Sequence, residues 1–162
     1  MALTLSWLIA YFKLDESSWD ASDATGNWHT LTANWWATFA AWKLNNWASL
    51  DGINDYFSRA TDLWLWASQQ PYSFTLWIKP SVTIATQQVF WNLNDAEFDN
   101  YSYTEWYGGN LRHIRARQGV AADICQVAQA FTAGTWYFIS STYDGSNLSV
   151  SINWGSRTNL TS

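Results

Sequence analysis

Cysteine, histidine and basic residues are all scarce in this sequence of 162 residues. The only cysteine, Cys125, has no second thiol for an internal disulfide, so packing alone must hold the fold together. The two histidines, His29 and His113, have no partner at metal-ligand spacing, which argues against a zinc site. With 8 Lys and Arg against 13 Asp and Glu, the net charge is -5. Nucleic acid is therefore not an expected partner, because its phosphates are bound by clustered basic residues.

Long hydrophobic runs are absent as well. No stretch reaches the roughly 20 apolar residues that a membrane span requires. The first dozen residues are apolar but lack a basic leader, and Lys13 interrupts them, so we interpret them as structure and not as a signal peptide. Because 48% of the residues are hydrophobic, we expect one two-layer core and a single domain over residues 1–162.

What the sequence does contain is a period of two. Apolar and polar side chains alternate over residues 72–79, 136–143 and 148–153. Asp144 and Gly145 separate the last two segments and tolerate the positive φ of tight turns, which predicts a hairpin. Further predicted strands are Leu8–Lys13, His29–Ala33, Ala48–Leu50, Asp55–Ser58, Gln87–Asn92, Asn110–Arg117 and Ile124–Ala128. Many short strands without a long helix predict an all-β sandwich or barrel.

Four linked segments stand out in order along the chain: AYFKLDESS, ASLDGINDYF, YSFTLWIKP and GTWYFISSTYDGSNLSVSIN. Together, from about Leu8 to Asn153, they resemble the laminin-G-like, concanavalin A-like lectin family. The resemblance implies a two-sheet antiparallel jelly-roll sandwich in a secreted or surface-displayed protein. It also implies binding of carbohydrate, glycoconjugates or protein surfaces, sometimes with calcium. We therefore expect an extracellular, non-catalytic recognition or adhesion module that requires no cofactor.

Tryptophan departs from the family pattern, because the chain has 14 Trp and only 8 Gly. Average usage of about 7% predicts roughly 11 glycines in this length. Trp77 and Trp136 stand where the family has an aromatic residue, which favours a role in the core. Ten others stand where glycine or a turn is expected, and Trp is a poor substitute there because its Cβ penalises positive φ. These ten are Trp7, Trp19, Trp28, Trp35, Trp36, Trp42, Trp47, Trp64, Trp66 and Trp154.

One hypothesis explains the excess of tryptophan and the shortage of glycine together. The gene comes from a source that decodes UGA as glycine, and translation rendered those codons as tryptophan. UGG codons at Trp28, Trp42 and Trp47 would refute it. The alternative is that the tryptophans are genuine and form a sugar-stacking surface or an adhesive interface, since contiguous exposed aromatics usually mark contact sites.

The end of the chain is the second departure, because family members continue past the Asn153 turn into a last strand. Either the final strand is missing here, or Thr158–Ser162 forms a shortened version of it. An exposed sheet edge would favour strand addition from a neighbouring chain. The protein could therefore be a homo-oligomer that pairs through this edge. The alternative function is then that of a structural or assembly subunit of a surface layer, filament, adhesin or virion.

A glycoside hydrolase on the same architecture would need two carboxylates facing each other across a cleft. The segment Glu97-Phe98-Asp99 resembles the opening of the Glu-x-Asp-x-x-Glu strand of jelly-roll glucanases, but Ser102 occupies the place of the second Glu. Glu105 lies an odd number of residues from Ser102, so on an alternating strand it points to the opposite face. Without a bulge it does not replace the second Glu. We expect at most a degenerate hydrolase.

Calcium needs only oxygen ligands, and six residues in predicted turns offer them. They are Asp51, Asn54, Asp55, Asp95, Asp99 and Asp144. None has EF-hand spacing, and each is also suited to capping a turn through an Asx hydrogen bond. Calcium is therefore a possible ligand and not a required one.

The segment from Tyr101 to Arg117 is the predicted contact surface for a ligand, because it combines stacking faces with fixed donors. The candidate binding residues are Tyr101, Tyr103, Trp106, Tyr107, Arg112 and Arg115, with His113 and Arg117 beside them. Aromatic faces stack on sugar rings and Arg forks bind carboxylates, so an acidic or sulfated glycan would suit. In the alternative interpretation the two tyrosines are half-buried core, and Arg115 and Arg117 form a solvated face.

Overall fold

The computed structural model describes residues 8–17, 20–41, 45–60, 70–94, 100–155 and 158–161. All regular structure in these ranges is β, which confirms the predicted class, and they contain no helix long and apolar enough to cross a membrane. The strands are β1 (Thr32–Asn34), β2 (Thr38–Ala41), β3 (Asn46–Ser49), β4 (Tyr56–Ser58), β5 (Tyr72–Ile78), β6 (Gln88–Asn94), β7 (Tyr101–Tyr107), β8 (Asn110–Arg117), β9 (Val120–Ala128), β10 (Tyr137–Tyr143), β11 (Asn147–Ile152) and β12 (Thr158–Thr161).

The chain divides into two compact units, Met1–Leu63 and Trp64–Ser162. In the first unit β1 pairs with β4 and β2 pairs with β3, both antiparallel. The predicted strand Leu8–Lys13 is wrong, since this segment makes only one isolated bridge, between Phe12 and Asp23. The single domain over residues 1–162 stays a prediction.

The second unit contains two four-stranded antiparallel sheets. The front sheet has the order β6-β7-β8-β9, and the back sheet has the order β12-β11-β10-β5. The period of two predicted β5, β10 and β11, and all three are strands of the back sheet. The turn between β10 and β11 also forms as predicted: Asp144 N donates to Asn147 O at 3.2 Å, and Gly145 has a φ of 102°.

The two sheets pack face to face through their inner faces. Leu111 of the front sheet and Ile139, Leu148 and Val150 of the back sheet are fully buried. Thr104 Oγ1 and Ser141 Oγ lie 2.6 Å apart and join the two sheets by a buried hydrogen bond. This is the predicted jelly-roll sandwich, and packing holds it together because a sequence with one cysteine forms no internal disulfide.

The tail of the chain forms a short strand. Residues Thr158–Thr161 are β12, which pairs antiparallel with β11, so Val150 stands opposite Thr158. Residues 158–161 therefore form a strand, as the second of the two alternatives for this segment expects. The edge of β11 is therefore covered and does not lie open.

The register of the front sheet shifts once in β6, between Val89 and Trp91, where an extra residue makes a β-bulge. Because side chains alternate along a strand, one extra residue exchanges the faces of everything beyond it. Val89 stands opposite Glu105 and Trp91 opposite Thr104, which places them on opposite faces of the sheet. The bulge thus decides which side chains of β6 point away from the core.

Candidate functional site

The two faces of the front sheet are defined by the alternation in β7. Ser102, Thr104 and Trp106 lie on the inner face towards the back sheet, and all three are buried. Tyr101, Tyr103, Glu105 and Tyr107 consequently lie on the outer face. In the register of β8, Arg112 stands opposite Glu105 and therefore shares the outer face.

A groove of about 300 Å³ lies on the outer face of this sheet. Its lining residues are Gln87, Val89, Asn92, Asn94, Tyr101 and Tyr103. The rings of Tyr101 and Tyr103 lie 5.6 Å apart at an angle of 36°, and both are half-buried. The groove therefore combines two partly exposed aromatic faces with three side-chain amides.

The β-bulge supplies two of these amides. Beyond it, Asn92 stands opposite Tyr103 and Asn94 opposite Tyr101, so both asparagines reach the outer face. Asn92 Nδ2 donates to Asn94 Oδ1 at 3.3 Å, which connects the two amides along the wall of the groove. The same shift turns Trp91 inward, where its ring stacks on Phe74 with centroids 4.0 Å apart.

A buried carboxylate organises the outer face next to the groove. Glu105 is fully buried although it lies on this face. Its carboxylate accepts hydrogen bonds from Arg112, with Nε at 3.0 Å and Nη2 in close contact, and from Gln87 Nε2. The Arg112 guanidinium also lies over the ring of Tyr107, 4.4 Å from its centroid. Glu105 and Arg112 thus neutralise each other, and Gln87 is held in place at the groove.

The phenol of Tyr103 keeps its proton at neutral pH. Partial burial raises the pKa of this side chain, and the nearby Glu105 carboxylate raises it further. A protonated phenol is both a hydrogen-bond donor and an acceptor. Tyr103 therefore offers the groove a polar atom at the end of a stacking surface.

Four of the six predicted binding residues are not among the lining residues of the groove. Tyr107 and Arg112 lie beside it on the outer face, whereas Trp106 and Arg115 lie on the inner face. Trp106 is 8% exposed and Arg115 is 2% exposed, and both point into the sandwich. Trp106 Nε1 donates to Gln129 O at 2.7 Å, and the Arg115 guanidinium lies 4.1 Å from the centroid of the Tyr143 ring. The candidate contact surface on the outer face therefore consists of Tyr101, Tyr103, Tyr107 and Arg112, without Trp106 and Arg115.

The inner face carries a buried polar cluster around His113. Its Nε2 lies 3.1 Å from Ser102 Oγ and 3.3 Å from Tyr72 Oη, and its Nδ1 lies 3.2 Å from Ser149 O. Burial lowers the pKa of His113 to about 4, and the charge of Arg115 lowers it further, against the hydrogen bond to Ser149. Burial also raises the pKa of Tyr72 to about 12. The cluster is neutral at physiological pH and joins the two sheets.

Several candidate calcium ligands use their oxygens within turns. Asp51 Oδ1 accepts from the backbone N–H groups of Ile53 and Asn54, at 2.8 and 3.2 Å. Asp144 Oδ1 accepts in the same way from Ser146 and Asn147. Among the described residues, no group of three acidic, histidine or cysteine side chains is placed to hold a metal. Asp95, Glu97 and Asp99 lie outside the described residues, and calcium stays a prediction.

Sequence reasoning missed Gln87, Val89, Asn92 and Asn94 as lining residues of the groove. Simple alternation from Val89 would place Asn92 and Asn94 on the inner face. The bulge reverses that assignment, and no local sequence signal such as a glycine marks it in the segment Gln88–Asn94. The amides of Asn92 and Asn94 were therefore visible only from the register.

No protein-family model matches the sequence, and no curated protein matches it. The structure is similar to part of an S-layer domain-containing protein from Clostridium thermocellum, with a TM-score of 0.59 and 20% identity over 89% of this chain and 68% of that one. It is also similar to mouse laminin alpha1 chain domains LG4-5, with a TM-score of 0.49 and 13% identity. That match covers 57% of this chain, which spans 24% of the laminin structure. The similarity to the S-layer protein agrees with the two-sheet antiparallel sandwich that the four motifs implied.

Proposed function

We propose that the domain is a non-catalytic recognition module that binds carbohydrate in the groove on the outer face of the front sheet. The observation that carries the proposal is the pairing of two half-buried tyrosines with amide side chains in one groove. Aromatic rings with an apolar face and a polar tip suit ligands that are themselves amphipathic, as sugar rings are.

The polar groups of the groove match the hydroxyl groups of a saccharide. Side-chain amides both donate and accept, and so does the protonated phenol of Tyr103. Gln87 is held by Glu105, so it meets a ligand with little further loss of side-chain freedom. A sugar hydroxyl also donates and accepts, and the groove therefore offers complementary partners without a formal charge.

The charge distribution favours a neutral saccharide over the acidic or sulfated glycan that the sequence suggested. That expectation depended on free guanidinium groups at positions 112, 115 and 117. Arg112 is neutralised by Glu105, Arg115 is buried in the sandwich, and Arg117 lies 3.8 Å from the carboxylate of Asp123. None of the three offers an unengaged cation to the groove.

The groove is also unsuited to glycoside hydrolysis. That reaction uses two carboxyl groups roughly 5–9.5 Å apart on either side of the sugar. Among the described lining residues there is no carboxylate, and Glu105 beside them is buried with its oxygens occupied by Arg112 and Gln87. We propose an extracellular or surface location for this module, in keeping with the resemblance of its sequence to the laminin-G-like family.

Calorimetric titration with neutral oligosaccharides and with heparin-derived sulfated ones tests this function. We expect binding of a neutral oligosaccharide that is insensitive to salt and falls at least tenfold in Tyr103→Ala and in Asn92→Ala. Tyr56→Ala is the matched control, since this exposed tyrosine lies in the other compact unit. Salt-dependent binding of only the sulfated ligands, or equal losses in the control, would overturn the proposal.

A second candidate function is assembly through the edge of the front sheet. Strand β9 has nine residues, and no described strand pairs with its outer edge. Its side chains include exposed Val120 and Ile124, and a long edge strand with apolar residues invites pairing with another chain. Light scattering over a range of concentrations tests this. A concentration-dependent oligomer that Ile124→Lys disperses supports assembly, and a monomer at all concentrations excludes it.

A further inference from the structure

The backbone at three tryptophans has a conformation that favours glycine. The φ angles of Trp28, Trp35 and Trp154 are 64°, 57° and 62°, all in the left-handed region. A side chain with a Cβ is strained there, whereas glycine adopts this region freely. Seven of the glycines in the described residues have positive φ as well, from Gly108 at 59° to Gly145 at 102°. The three tryptophans thus have the backbone of this protein's own turn glycines.

The turn after β11 is the clearest case. Gly155 N donates to Ile152 O at 2.8 Å, which closes a four-residue turn with Asn153 and Trp154 at its centre. Both central residues have positive φ, at 49° and 62°. This is the type I′ pattern, for which Asn-Gly is the preferred pair. Asn153 fits its position, and glycine is the residue that fits the position of Trp154.

The turn after β1 points to the same residue. Ala37 N donates to Asn34 O at 3.2 Å, so Trp35 and Trp36 are the central residues of this turn. Positive φ occurs only at the first of them, Trp35. That is the type II′ pattern, which has glycine at its first central position.

The side chains offer little compensation for this strain. Trp28, Trp35 and Trp154 are 89%, 65% and 77% exposed, although the Trp154 ring does stack on Phe138. A strained residue persists when its surroundings hold it in place, and such exposed rings are held weakly. The strain therefore has no functional contact to explain it.

The other described tryptophans provide the contrast. Trp36, Trp47, Trp77, Trp91, Trp106 and Trp136 are absent from the residues with positive φ. The last four are the tryptophans that the sequence did not assign to glycine positions. Trp7, Trp19, Trp42, Trp64 and Trp66 lie outside the described residues. Positive φ thus occurs only among the tryptophans that the sequence had singled out.

We propose that residues 28, 35 and 154 are glycine in the native protein, because its source decodes UGA as glycine. The proposal is independent of the groove, whose lining contains no tryptophan. It removes the indoles of Trp28, Trp35 and Trp154 from the surface, which together with Trp36 are the four most exposed among the described tryptophans. The exposed aromatic surface around the loops then results from reading UGA as tryptophan and is absent from the native protein. The groove remains as the place where a ligand can stack.

Peptide masses of the native protein test the assignment directly, together with the codons of its gene. We expect glycine masses in the peptides that contain positions 28, 35 and 154, and UGA at each codon. Tryptophan masses or UGG codons at these three positions would overturn it. Trp91, whose ring is packed on Phe74, is the internal control and should remain tryptophan with a UGG codon.

A stability comparison tests the backbone argument separately from the codons. At each of the three positions, Trp→Gly should raise Tm by roughly 2–4 °C relative to Trp→Ala, since both remove the ring and only glycine relieves the left-handed backbone. Trp36 is the matched control, because its exposed ring lies in the same turn as Trp35 and its φ is not positive. There the order should reverse, with alanine above glycine. Alanine equal to or above glycine at all four positions would contradict the assignment.

Discussion

The two faces of the front sheet are both polar, yet only one of them is available to a ligand. On the inner face, the polar atoms of Ser102, Thr104 and His113 bond to one another or to the back sheet, and all three residues are fully buried. On the outer face, the amide and tyrosine side chains line an open groove. The difference shows that polarity alone does not identify a binding face in this fold. The polar side chains of the inner face already have hydrogen-bond partners within the sandwich, and only those of the outer face are open to a ligand.

The largest effect should come from removing apolar packing on the inner face. Leu111→Ala deletes a fully buried side chain and should lower the free energy of unfolding by about 3 kcal/mol. Urea unfolding measures the loss. The affinity of the folded protein for its saccharide should not change, because the groove lies on the other face. A large loss of affinity at temperatures where the variant is folded would break the separation of the two faces.

The next effect is a dependence of stability on pH that arises on the inner face. The pKa of His113 is about 4 in the folded protein, below the ordinary value of 6.5. As pH falls, the unfolded chain therefore takes up the proton first. The stabilisation is complete above pH 6.5 and is lost between about pH 6.5 and 4, by up to about 3 kcal/mol.

Urea unfolding at a series of pH values checks this, with His113→Gln as the test variant. Glutamine is polar but does not titrate, so the variant should have a flatter profile over this pH window. His29→Gln is the control and should keep the parental slope, since it leaves His113 in place. Parallel profiles for the parent protein and His113→Gln would show that the buried histidine does not set the pH dependence.

A smaller effect is expected from the ion pair on the outer face. Glu105→Gln removes the charge that neutralises Arg112 and should lower the free energy of unfolding by about 2 kcal/mol. It should also leave a cation beside the groove, so that binding of sulfated oligosaccharides appears. Asp123→Asn is the control, because its contact with Arg117 is long and partly exposed and should contribute little. An unchanged preference for neutral ligands in Glu105→Gln would contradict the charge argument.

The smallest effect concerns the hydroxyl pair that joins the sheets. Thr104→Val or Ser141→Ala alone leaves one buried hydroxyl without its partner and should cost about 1–2 kcal/mol. The double variant should be more stable than the sum of the two losses predicts, by about 1 kcal/mol, since neither hydroxyl is then left over. A double-mutant cycle by urea unfolding measures this coupling, and strict additivity would indicate that the pair does not connect the sheets.

Much of the sandwich was predictable, because the apolar alternation of β5 and β10 matches the burial of one face of the back sheet. In β11, Leu148 and Val150 are buried as the alternation predicts, although Ser149 between them is buried as well. Leu8–Lys13 has a similar composition but makes only the Phe12 bridge, since strand propensity does not create a pairing partner. In the first unit, β2 was missed because the four residues TFAA are too short to show a period.

The candidate site was predictable in part. Tyr101 and Tyr103 were found because their rings offer stacking faces, and both line the groove. Trp106 was misplaced because alternation along β7 puts it on the face opposite to Tyr101 and Tyr103. Arg115 was misplaced because an arginine was expected at the surface, whereas this one is covered by the ring of Tyr143. Asn92 and Asn94 were missed because their face depends on a change of register that arises only when β6 pairs with β7.

The bulge in β6 has a consequence for the chemistry of this surface. Deleting Phe90 would remove the bulge and leave Trp91, Asn92 and Asn94 on the faces they have now, because Val89 and Trp91 would then alternate directly. If Phe90 instead entered the ladder at unchanged chain length, Trp91 would stand opposite Tyr103 and Asn92 opposite Ser102, so the groove would gain an indole and lose its amides. The chemistry of this ligand surface therefore depends on one unpaired residue that does not itself line the groove.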